Sequence, residues 1–345
     1  MLEIQIDQLN IAYVNELVID QLTATIPSGA LVSLLGPSGC GKSTTLLALA
    51  GLIQPLSGEI RFDGQLMNPI KTEQREIGMV FQNYSLYPHM TVYENIGFPL
   101  TMKKWSKSDK KQRIDDLADI LQIKHLLDRK PRQLSGGQQQ RAAIARALVK
   151  QPKLLLLDEP FSNVDAKLRL ELREELRQIQ QRFGITTLFV THDQEEALSI
   201  SDYVMLMSKG RLLQFGTPQQ LYDHPQNRGV AEFVGHPPMN LLQVQSEQFI
   251  IGIRPEDWLV CEPDEAFLSG LVISMEMTGR DFLLKVRCAE FTFRVIVSRD
   301  ANIRVGQEVH LRVREDRLHW FDAKTGQRLN EWPSLVEMRF TGVSL

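Results

Sequence analysis

The fold of this chain is first indicated by the segment Gly36-Pro37-Ser38-Gly39-Cys40-Gly41-Lys42-Ser43-Thr44. An apolar run at 31–35 precedes it and a predicted helix over 45–50 follows it, which gives the order strand, glycine-rich turn, helix. This order is the context required for a phosphate-binding loop of the pattern G-x-x-x-x-G-K-[ST]. The glycines let backbone N–H groups converge on phosphate oxygens, and the helix N-terminus directs its positive dipole end to the same anion. A nucleotide site is therefore predicted, and the alternative is a glycine-rich turn that binds no ligand.

Two side chains of this loop have predicted tasks of their own. Lys42 brings a mobile positive charge to the β- and γ-phosphates, and the Ser43 hydroxyl is a predicted ligand of Mg²⁺. All nine residues of the segment, from Gly36 to Thr44, are candidates for contact with the nucleotide.

The composition is that of a globular protein with room for two or three domains. The chain has 345 residues, of which 43% are hydrophobic and 23% are charged, and its net charge is −3. Such a charge creates no overall field that would attract nucleic acid, so we expect no nucleic-acid partner. The three cysteines, Cys40, Cys261 and Cys288, are far apart, which favours a reducing cytosol over a disulfide framework.

The start of the chain predicts a soluble protein. Met1-Leu2-Glu3-Ile4 begins a strand-like alternation and not the basic start and apolar run of a secretory signal. No run approaches the roughly 20 apolar residues needed to span a bilayer. We therefore expect that another chain must anchor this protein if it acts at a membrane.

Three further predicted strands of the buried type lead into polar residues. Gln82 ends the first, Asp158 and Glu159 follow the second, and His192 follows the third. In an open α/β sheet ligands lie beyond the carboxyl ends of the strands, so these side chains are predicted to face the nucleotide. Asp158 would hold Mg²⁺, Glu159 would polarise the attacking water, and His192 would act at the γ-phosphate. A lone histidine at a strand end is more often structural, and this alternative stays open for His192.

Two predicted helix starts and one aromatic residue complete the candidate site. Ser135 is placed as the N-cap of a helix over 138–149, so a second helix N-terminus is offered to an anion; a capped helix without a ligand is the alternative. Asp165 caps the next helix, and capping alone would explain it. Tyr13 is a candidate for stacking on a purine ring, and the alternative is a half-buried strand residue.

The pattern changes after residue 235. A linker is predicted at Gly235-His236-Pro237-Pro238-Met239-Asn240. Beyond it, short strands are predicted over 249–253, 271–275, 282–286, 291–297, 309–313 and 318–321. Short strands at this spacing without long helices are typical of a small β-barrel. We predict a first domain over 1–235, with a helical subdomain at about 86–152, and a second domain over 236–345.

Taken in order, these motifs resemble the ATPase subunit of an ABC transporter over about residues 1–235. The matching segments are Gly36–Thr44 (Walker A), Gln82 (Q-loop), Leu134–Gln138 (signature), Leu154–Glu159 (Walker B with its glutamate), Ser162–Asp165 (D-loop) and His192 (switch histidine). The resemblance implies an α/β fold, with a P-loop NTPase core of the ABC ATPase type and a helical subdomain, followed by a small all-β, OB-like (TOBE) domain. Asn163-Val164 departs from the more frequent Ala-Leu of the D-loop, while Asp165 is in place.

The resemblance also implies the chemistry, which is hydrolysis of ATP to ADP and phosphate with Mg²⁺. The implied catalytic residues are Lys42, Gln82, Glu159 and His192, and the implied metal ligands are Ser43, Gln82 and Asp158. Tyr13 stands where the family has its adenine-stacking aromatic. Two copies pair head to tail as a homodimer in this family. In that arrangement, the nucleotide contacts from the signature and D-loop are Ser135, Gly136, Gly137, Gln138 and Asp165.

Two segments resemble the importers of this family in particular. Ile253–Asp257 and the β-rich tail are similar to the tail of importer ATPases, and Tyr87–Val92 resembles the loop on which membrane subunits dock. The implied partners are two permease subunits, docking at about residues 83–98, and indirectly a solute-binding protein. A cytosolic regulatory protein is a further candidate partner of the tail. The implied location is the cytoplasmic face of a bacterial cell membrane, as a peripheral subunit.

The solute and the rival functions stay open at this point. The resemblance favours a carbohydrate, with polyamine, ferric iron, phosphonate and glycerol-phosphate as alternatives. A second class of function is a non-transport ABC switch ATPase in DNA repair or on ribosomes, against which the docking loop and the tail argue. A regulatory protein that sequesters a cytosolic partner and an inactive ATP-binding scaffold are the remaining alternatives.

Overall fold

The computed structural model describes residues 2–14, 16–162, 164–243, 248–289 and 291–329. The chain divides into two compact units, Met1–Pro218 and Gln219–Leu345. The predicted domain border at 235/236 lies inside the second unit, and it stays a prediction. Asn163 of the predicted D-loop lies outside the described residues.

The first unit alternates strands and helices from its third strand onward. Its strands are β1 (Ile4–Tyr13), β2 (Glu16–Ile26), β3 (Leu31–Leu35), β4 (Ser57–Phe62), β5 (Gln65–Leu66), β6 (Ile77–Val80), β7 (Leu154–Asp158), β8 (Thr186–Thr191), β9 (Tyr203–Ser208) and β10 (Arg211–Gly216). Its helices are α1 (Lys42–Ala50), α2 (Val92–Met102), α3 (Lys107–Ile120), α4 (Gly136–Leu148), α5 (Ala166–Phe183) and α6 (Gln194–Ile200). This alternation produces a largely parallel sheet, and the predicted α/β class is confirmed.

Six strands form the central sheet in the order β10-β9-β3-β8-β7-β6. The neighbours from β9 to β6 are parallel, and β10 runs antiparallel to β9 at one edge. The side chains of β7 alternate between two hydrophobic clusters: Leu155 and Leu157 belong to one, and Leu154 and Leu156 to the other. All four leucines are fully buried because a parallel sheet is covered on both faces.

A second, antiparallel sheet has the order β2-β1-β4-β5. Its inward side chains, among them Ile6 and Ile19, join the cluster that also contains Leu46 and Leu49 of α1. This sheet therefore packs on the side of the molecule where α1 lies, and it brings β2 close to the phosphate-binding loop.

Helices α2, α3 and α4 occupy the interval between β6 and β7, within the helical subdomain predicted at about 86–152. Thr91 and Glu94 form a capping box at the start of α2, and Ser106 caps α3 through the Asp109 N–H. Their buried faces share one cluster, to which Ile96 and Leu117 belong. Within the described residues, each helix is too short or too polar to cross a bilayer.

Arg75 anchors the C-terminal end of α1, the helix that begins in the phosphate-binding loop. Its guanidinium donates to the carbonyl oxygens of Ala48 and Leu49 at 2.8 and 2.9 Å, and to those of Met67 and Ile70 at 2.8 and 2.9 Å. Arg75 is only 2% exposed, and burial lowers the pKa of its guanidinium. A buried cation thus satisfies carbonyl groups that a helix C-terminus leaves without intrahelical partners.

The second unit is built mainly from antiparallel strands. Its strands are β11 (Asn240–Gln243), β12 (Phe249–Ile253), β13 (Trp258–Val260), β14 (Leu268–Thr278), β15 (Asp281–Cys288), β16 (Phe291–Ser298), β17 (Glu308–Val313) and β18 (His319–Asp322). They form sheets of the orders β11-β12-β18 and β13-β17-β14-β15-β16, around a core that contains Trp258, Phe293 and Trp320. The predicted all-β class of this part of the chain is confirmed.

The segment predicted as a linker belongs to the second unit. Helices α7 (Pro218–Asp223) and α8 (Arg228–Phe233) precede it, and Ala231 of α8 packs with Met239, Ile250 and Phe321. Arg254 donates to the Tyr222 carbonyl oxygen at 2.7 Å. These contacts explain why the border between the units precedes the Pro-rich segment, whose composition resembles that of a linker.

We expect the substitution Arg75→Met to lower the free energy of unfolding by about 3 kcal/mol, because it leaves buried carbonyl oxygens without donors. Urea unfolding followed by circular dichroism would measure the change. The matched control is Arg61→Met, which removes a partly exposed arginine that pairs with Glu59; its effect should stay below about 1 kcal/mol. Equal effects of the two substitutions would contradict the anchoring role of Arg75.

Candidate functional site

The phosphate-binding loop follows β3 and opens α1, as predicted. Gly36 and Gly41 adopt φ angles of 153° and 100°, in the region that favours glycine. A Cβ at Gly36 would overlap the Met207 carbonyl oxygen, and one at Gly41 would overlap the Ile19 side chain. The two glycines are therefore required by close approach to β9 and β2 as well as by the turn itself.

Lys42 lies at the first position of α1 and is 6% exposed. Its amine donates to the carbonyl oxygens of Gly36 and Pro37, both at 2.9 Å, so the side chain curls back over the loop. The Cys40 thiol beside it is buried, and burial raises its pKa. The loop therefore holds its cation close to the backbone groups that precede the helix N-terminus.

Ser43 and Asp158 form the second part of the site. The Ser43 hydroxyl donates to Asp158 Oδ1 at 2.9 Å. Burial raises the pKa of Asp158 and the nearby Glu159 charge raises it further, while Ser43 and Lys42 act in the opposite direction. A hydroxyl and a carboxylate oxygen side by side are the hard ligands that Mg²⁺ prefers, and they leave room for phosphate oxygens and water. The donor set therefore fits Mg²⁺.

Glu159 lies at the centre of a small polar cluster. Gln82 Nε2 donates to Glu159 Oε2 at 3.0 Å, and His192 Nδ1 lies 3.5 Å from Glu159 Oε1. The sheet brings these three side chains together, although they are far apart in sequence, because β6, β7 and β8 are parallel neighbours. Strand β6 ends at Val80, so Gln82 lies beyond the strand and not within it as predicted.

The backbone of Glu159 is strained. Its φ angle is 44°, a left-handed conformation that residues other than glycine seldom adopt. The Glu159 N–H donates to the Val190 carbonyl oxygen at 3.2 Å, and the Ser162 hydroxyl donates to the Glu159 carbonyl oxygen at 3.0 Å. Strain held by such bonds is characteristic of functional positions, where it directs a side chain out of its strand.

A partly buried ion-pair network supports the loop that carries His192. Asp193, the next residue, caps α6 through the N–H groups of Glu195 and Glu196. Arg169 and Arg173 of α5 both approach Asp193 Oδ2 at 3.5 Å. The histidine loop is therefore tied to α5 by two cations.

Arg169 also contacts the predicted D-loop, since its Nη2 donates to the Val164 carbonyl oxygen at 3.3 Å. Arg173 and Glu196 are each 5% exposed and approach to 3.8 Å, and burial raises the pKa of Glu196. Arg169 thus bridges the D-loop to the segment that carries His192. This network was not predicted from the sequence, although arginines at 169, 173 and 177 lie on one helix face, where like charges need opposite partners.

The signature segment begins α4 with a capping box. The Gln138 N–H donates to the Ser135 hydroxyl at 3.4 Å, and the Ser135 N–H donates to the Gln138 side chain at 3.1 Å. Gly137 faces α5, where an added Cβ would lie 3.2 Å from a methyl group of Leu168. Asp165 caps α5 through the Leu168 N–H at 3.0 Å, so the predicted caps at Ser135 and Asp165 are confirmed.

Tyr13 ends β1 and its side chain is half-exposed, at 46% of its full accessible surface. An exposed aromatic ring at a strand end is compatible with stacking on a base. Its role in binding adenine stays a prediction.

The part of the predicted docking segment that precedes α2 is held by α4 and α2, although it forms neither a helix nor a strand. Arg146 of α4 donates to the carbonyl oxygens of Ser85 and Tyr84 at 2.7 and 2.9 Å, and it lies over the Tyr87 ring at 5.6 Å. Asn95 of α2 bonds to the Tyr87 N–H and carbonyl group. Tyr87 packs on Phe98 and keeps 37% of its surface exposed. The loop thus presents an aromatic surface with little freedom to rearrange.

The fold and the site define a P-loop NTPase. A sequence profile described as ABC transporter matches residues 19–162, and one described as TOBE domain matches residues 251–321. The trehalose/maltose import ATP-binding protein of Thermococcus litoralis is 39% identical, with 90% of this chain and 94% of that protein covered. The sn-glycerol-3-phosphate import ATP-binding protein of Ruegeria pomeroyi is also 39% identical, with 96% of this chain and 100% of that protein covered.

Two solved structures share the fold of the first unit. The ABC transporter component cbiO1 of Clostridium perfringens has a TM-score of 0.60 at 30% identity, covering 64% of this chain and 90% of its own. A dimeric ATP-binding cassette in a post-hydrolysis state with ADP and Pi has a TM-score of 0.56 at 30% identity, covering 62% of this chain and 98% of its own. The chain belongs to the ABC transporter family, as an ATP-binding subunit with ATPase activity and a TOBE domain.

We expect the affinity for the magnesium–nucleotide complex to decrease as the pH is lowered and Asp158 is protonated, because only the ionised carboxylate attracts a cation. Since burial raises the pKa of Asp158, the fall should begin at a higher pH than for a free aspartate. Titration of a fluorescent ATP analogue with Mg²⁺ from about pH 8 to about pH 5 would measure it. The nucleotide also titrates, so the control is Asp158→Asn; an equal pH dependence in both proteins would contradict the prediction.

We expect Arg169→Gln to lower the rate of ATP turnover about tenfold with little change in ATP affinity, because it loosens the segment that carries His192. Steady-state kinetics would separate the effect on kcat from that on KM. Arg182→Gln, at an exposed position in the last turn of the same helix, is the matched control. Arg169→Lys should recover part of the rate; a loss of ATP affinity without a loss of kcat would refute the positioning role.

Proposed function

We propose that this chain is the ATP-hydrolysing subunit of a bacterial solute importer. The observation that carries hydrolysis is the contact of Glu159 with both Gln82 and His192, next to Lys42 and to the Ser43–Asp158 pair. Import is supported by relatives that match nearly the full chain and are named as import ATP-binding proteins.

In this proposal each residue of the cluster has a separate task. Lys42 and the N-terminus of α1 bind the β- and γ-phosphates, where their charge opposes the charge of the transferred group. Glu159 accepts a proton from the attacking water as general base. Gln82 and His192 orient Glu159 and contact the γ-phosphate side. Tyr13 stacks on the adenine.

We assign the Mg²⁺ site to Ser43 and Asp158, with Gln82 as a further ligand. The first two residues supply hard oxygen atoms next to the loop that holds the phosphates. When bound, the cation neutralises negative charge on the phosphates during transfer. The Gln82 side chain has its amide nitrogen on Glu159, so its amide oxygen is the atom that would face the cation.

The working form that we propose is a head-to-tail homodimer. The capping box at Ser135 presents the N-terminus of a 13-residue helix, whose N–H groups and dipole suit a phosphate. We infer that this end of α4, with Gly136, Gly137 and Gln138, covers the γ-phosphate held by the partner copy, and that Asp165 lies at the same interface. Because ATP would contact both copies, its binding is coupled to a change of the dimer between open and closed states. Closure would also exclude bulk water from the site.

We propose that two permease subunits dock on residues 83–98, which place the protein at the cytoplasmic face of the membrane as a peripheral subunit. The support is the half-exposed Tyr87 on a loop held by Arg146 and Asn95. Gln82 directly precedes this loop, so a change at the γ-phosphate reaches the docking surface through one short segment. A solute-binding protein is an indirect partner, and a cytosolic regulator of the TOBE domain is a further candidate.

The transported solute that we propose is a carbohydrate, on the basis of the relative named for trehalose and maltose import. Glycerol phosphate is the second candidate, because several relatives are named for its import. The ATPase subunit does not itself contact the solute in this proposal, so the choice depends on the membrane and binding subunits.

We expect Glu159→Gln to bind ATP with near-normal affinity and to lose at least about a hundredfold in turnover, because the amide cannot accept a proton from water. Phosphate release and nucleotide binding would be measured on the same preparation. Glu174→Gln, at an exposed position of α5, is the matched control and should keep full activity. Turnover near the normal rate in Glu159→Gln would remove Glu159 as the base.

The same variant tests the transport function. Tagged Glu159→Gln, held closed with ATP and Mg²⁺, would be extracted from native membranes in mild detergent and its partners identified by mass spectrometry. Two polytopic membrane proteins, or two copies of one, would support the importer, and uptake of labelled sugar or glycerol phosphate would then identify the solute. Recovery of soluble partners, ribosomes or DNA alone would favour a switch ATPase instead.

A further inference from the structure

The second unit contains a polar cavity that the proposed ATPase mechanism does not use. Its volume is about 400 Å³, within the range of pockets that hold small molecules. Side chains from the end of α7, the residues after β12, the turn before β18 and β18 itself line it. We name it the arginine–histidine cavity after Arg254, Arg317, Arg328, His224 and His319.

Arg254 is the most buried of the arginines that line the cavity, at 2% exposed. Its terminal nitrogens donate to the carbonyl oxygens of Tyr222 and Val234, and its guanidinium lies over the Tyr222 ring at 4.1 Å. Its Nε is buried and has no hydrogen-bond partner. Gly235 is required beside it, since an added Cβ would lie 2.7 Å from Arg254 Nη1. The arginine is therefore built into the unit with one of its nitrogens, Nε, left without a partner.

Two more buried nitrogen atoms of the cavity lack partners. His319 is 8% exposed, and its Nδ1 has no hydrogen-bond partner. Arg328 Nη1 is likewise buried without a partner. Leaving such groups unpaired destabilises a fold by about 1–3 kcal/mol each, so three in the walls of one cavity call for a common explanation.

Several carboxylates of the cavity already have partners. Glu256 accepts the Tyr222 hydroxyl, and Asp316 accepts two bonds from Arg314 at 2.9 and 2.6 Å. Asp257 lies 3.9 Å from Arg317. Asp223 completes the acidic side. The groups of the cavity that lack a hydrogen-bond partner therefore include N–H donors of two arginines. A ligand that carries hydrogen-bond acceptors would satisfy them.

The electrostatic surroundings of His319 agree with this view. Burial is the main cause that lowers the pKa of His319 to about 3, and the charges that lower it further are those of Arg328, Arg254, His224 and Arg317. Arginines from several elements therefore approach the imidazole and disfavour its protonated form. A neutral imidazole can place an N–H at Nδ1 and act as a donor there.

We propose that the arginine–histidine cavity binds a small oxyanion, whose phosphate or carboxylate group accepts hydrogen bonds from Arg254 Nε, Arg328 Nη1 and His319 Nδ1. Guanidinium groups match the geometry of both head groups. The acidic side, with Asp223, Glu256, Asp257 and Asp316, opposes a second negative charge. The rest of the ligand is therefore neutral or cationic, such as a hydroxylated or amino-bearing carbon chain.

Calorimetry on the full-length chain would test this site. The nucleotide site is first filled with a non-hydrolysable ATP analogue and Mg²⁺, so that anions cannot bind there; the result is then independent of the proposed transport function. Inorganic phosphate and acetate are titrated separately at constant ionic strength, and the tighter of the two identifies the head group. We expect saturable binding of at least one of them to the normal protein.

The variant Arg328→Gln should weaken this binding about tenfold, because it removes one donor and one charge. His319→Gln should act in the same direction, and circular dichroism would establish that both variants fold. The matched control is Arg287→Gln, at an exposed arginine on β15 that does not line the cavity, which should bind as the normal protein does. Absence of binding by both anions, or equal binding in Arg328→Gln and the control, would overturn the proposal.

Discussion

Parallel pairing of β3, β8, β7 and β6 is the constraint from which the catalytic site follows. Each of these strands ends at the same edge of the sheet, so the phosphate-binding loop, Asp158-Glu159, His192 and Gln82 meet there although they are distant in sequence. The ladder itself depends on apolar strands that are covered on both faces, which is why the leucines of β7 have no contact with water. In β7 the charged residue Asp158 comes only where the strand ends, and the strand ends are where the chemistry of phosphate transfer is needed.

The protein uses buried and partly buried arginines to hold secondary structure in place. Arg75 fixes the C-terminal end of α1, and Arg169 and Arg173 join α5 to the segment that follows β8. In both cases an arginine serves because its planar guanidinium satisfies several acceptors at once. Removing one partner of such a group leaves a charge or a carbonyl oxygen unpaired, which destabilises the fold. The D-loop and the histidine segment are coupled in this way through Arg169.

The second unit differs from the first in that several of its buried polar groups without hydrogen-bond partners belong to residues that line one cavity. Arg254 connects the end of β12 to the backbone of α7 and of Val234 after α8, and its position explains why residues 235–240 do not form a free linker. A Pro-rich composition predicts a linker, but only contacts made by residues distant in sequence decide whether such a segment is independent. The same contacts leave His319 and Arg328 with unused nitrogen atoms, a feature that no local pattern in the sequence indicates.

The sequence by itself determined the class of fold, the phosphate-binding loop, the order along the chain of the strands that lead into polar residues, and the caps at Ser135 and Asp165. These properties depend on local signals: apolar periodicity, glycine in a turn and a capping side chain before a helix. Only the tertiary structure decided the contact of Glu159 with Gln82 and His192, the arginine network of α5, and the cavity of the second unit. The reason is physical: a buried charge is stable only beside its partner, and that partner is chosen by strand pairing and helix packing over long separations in the chain.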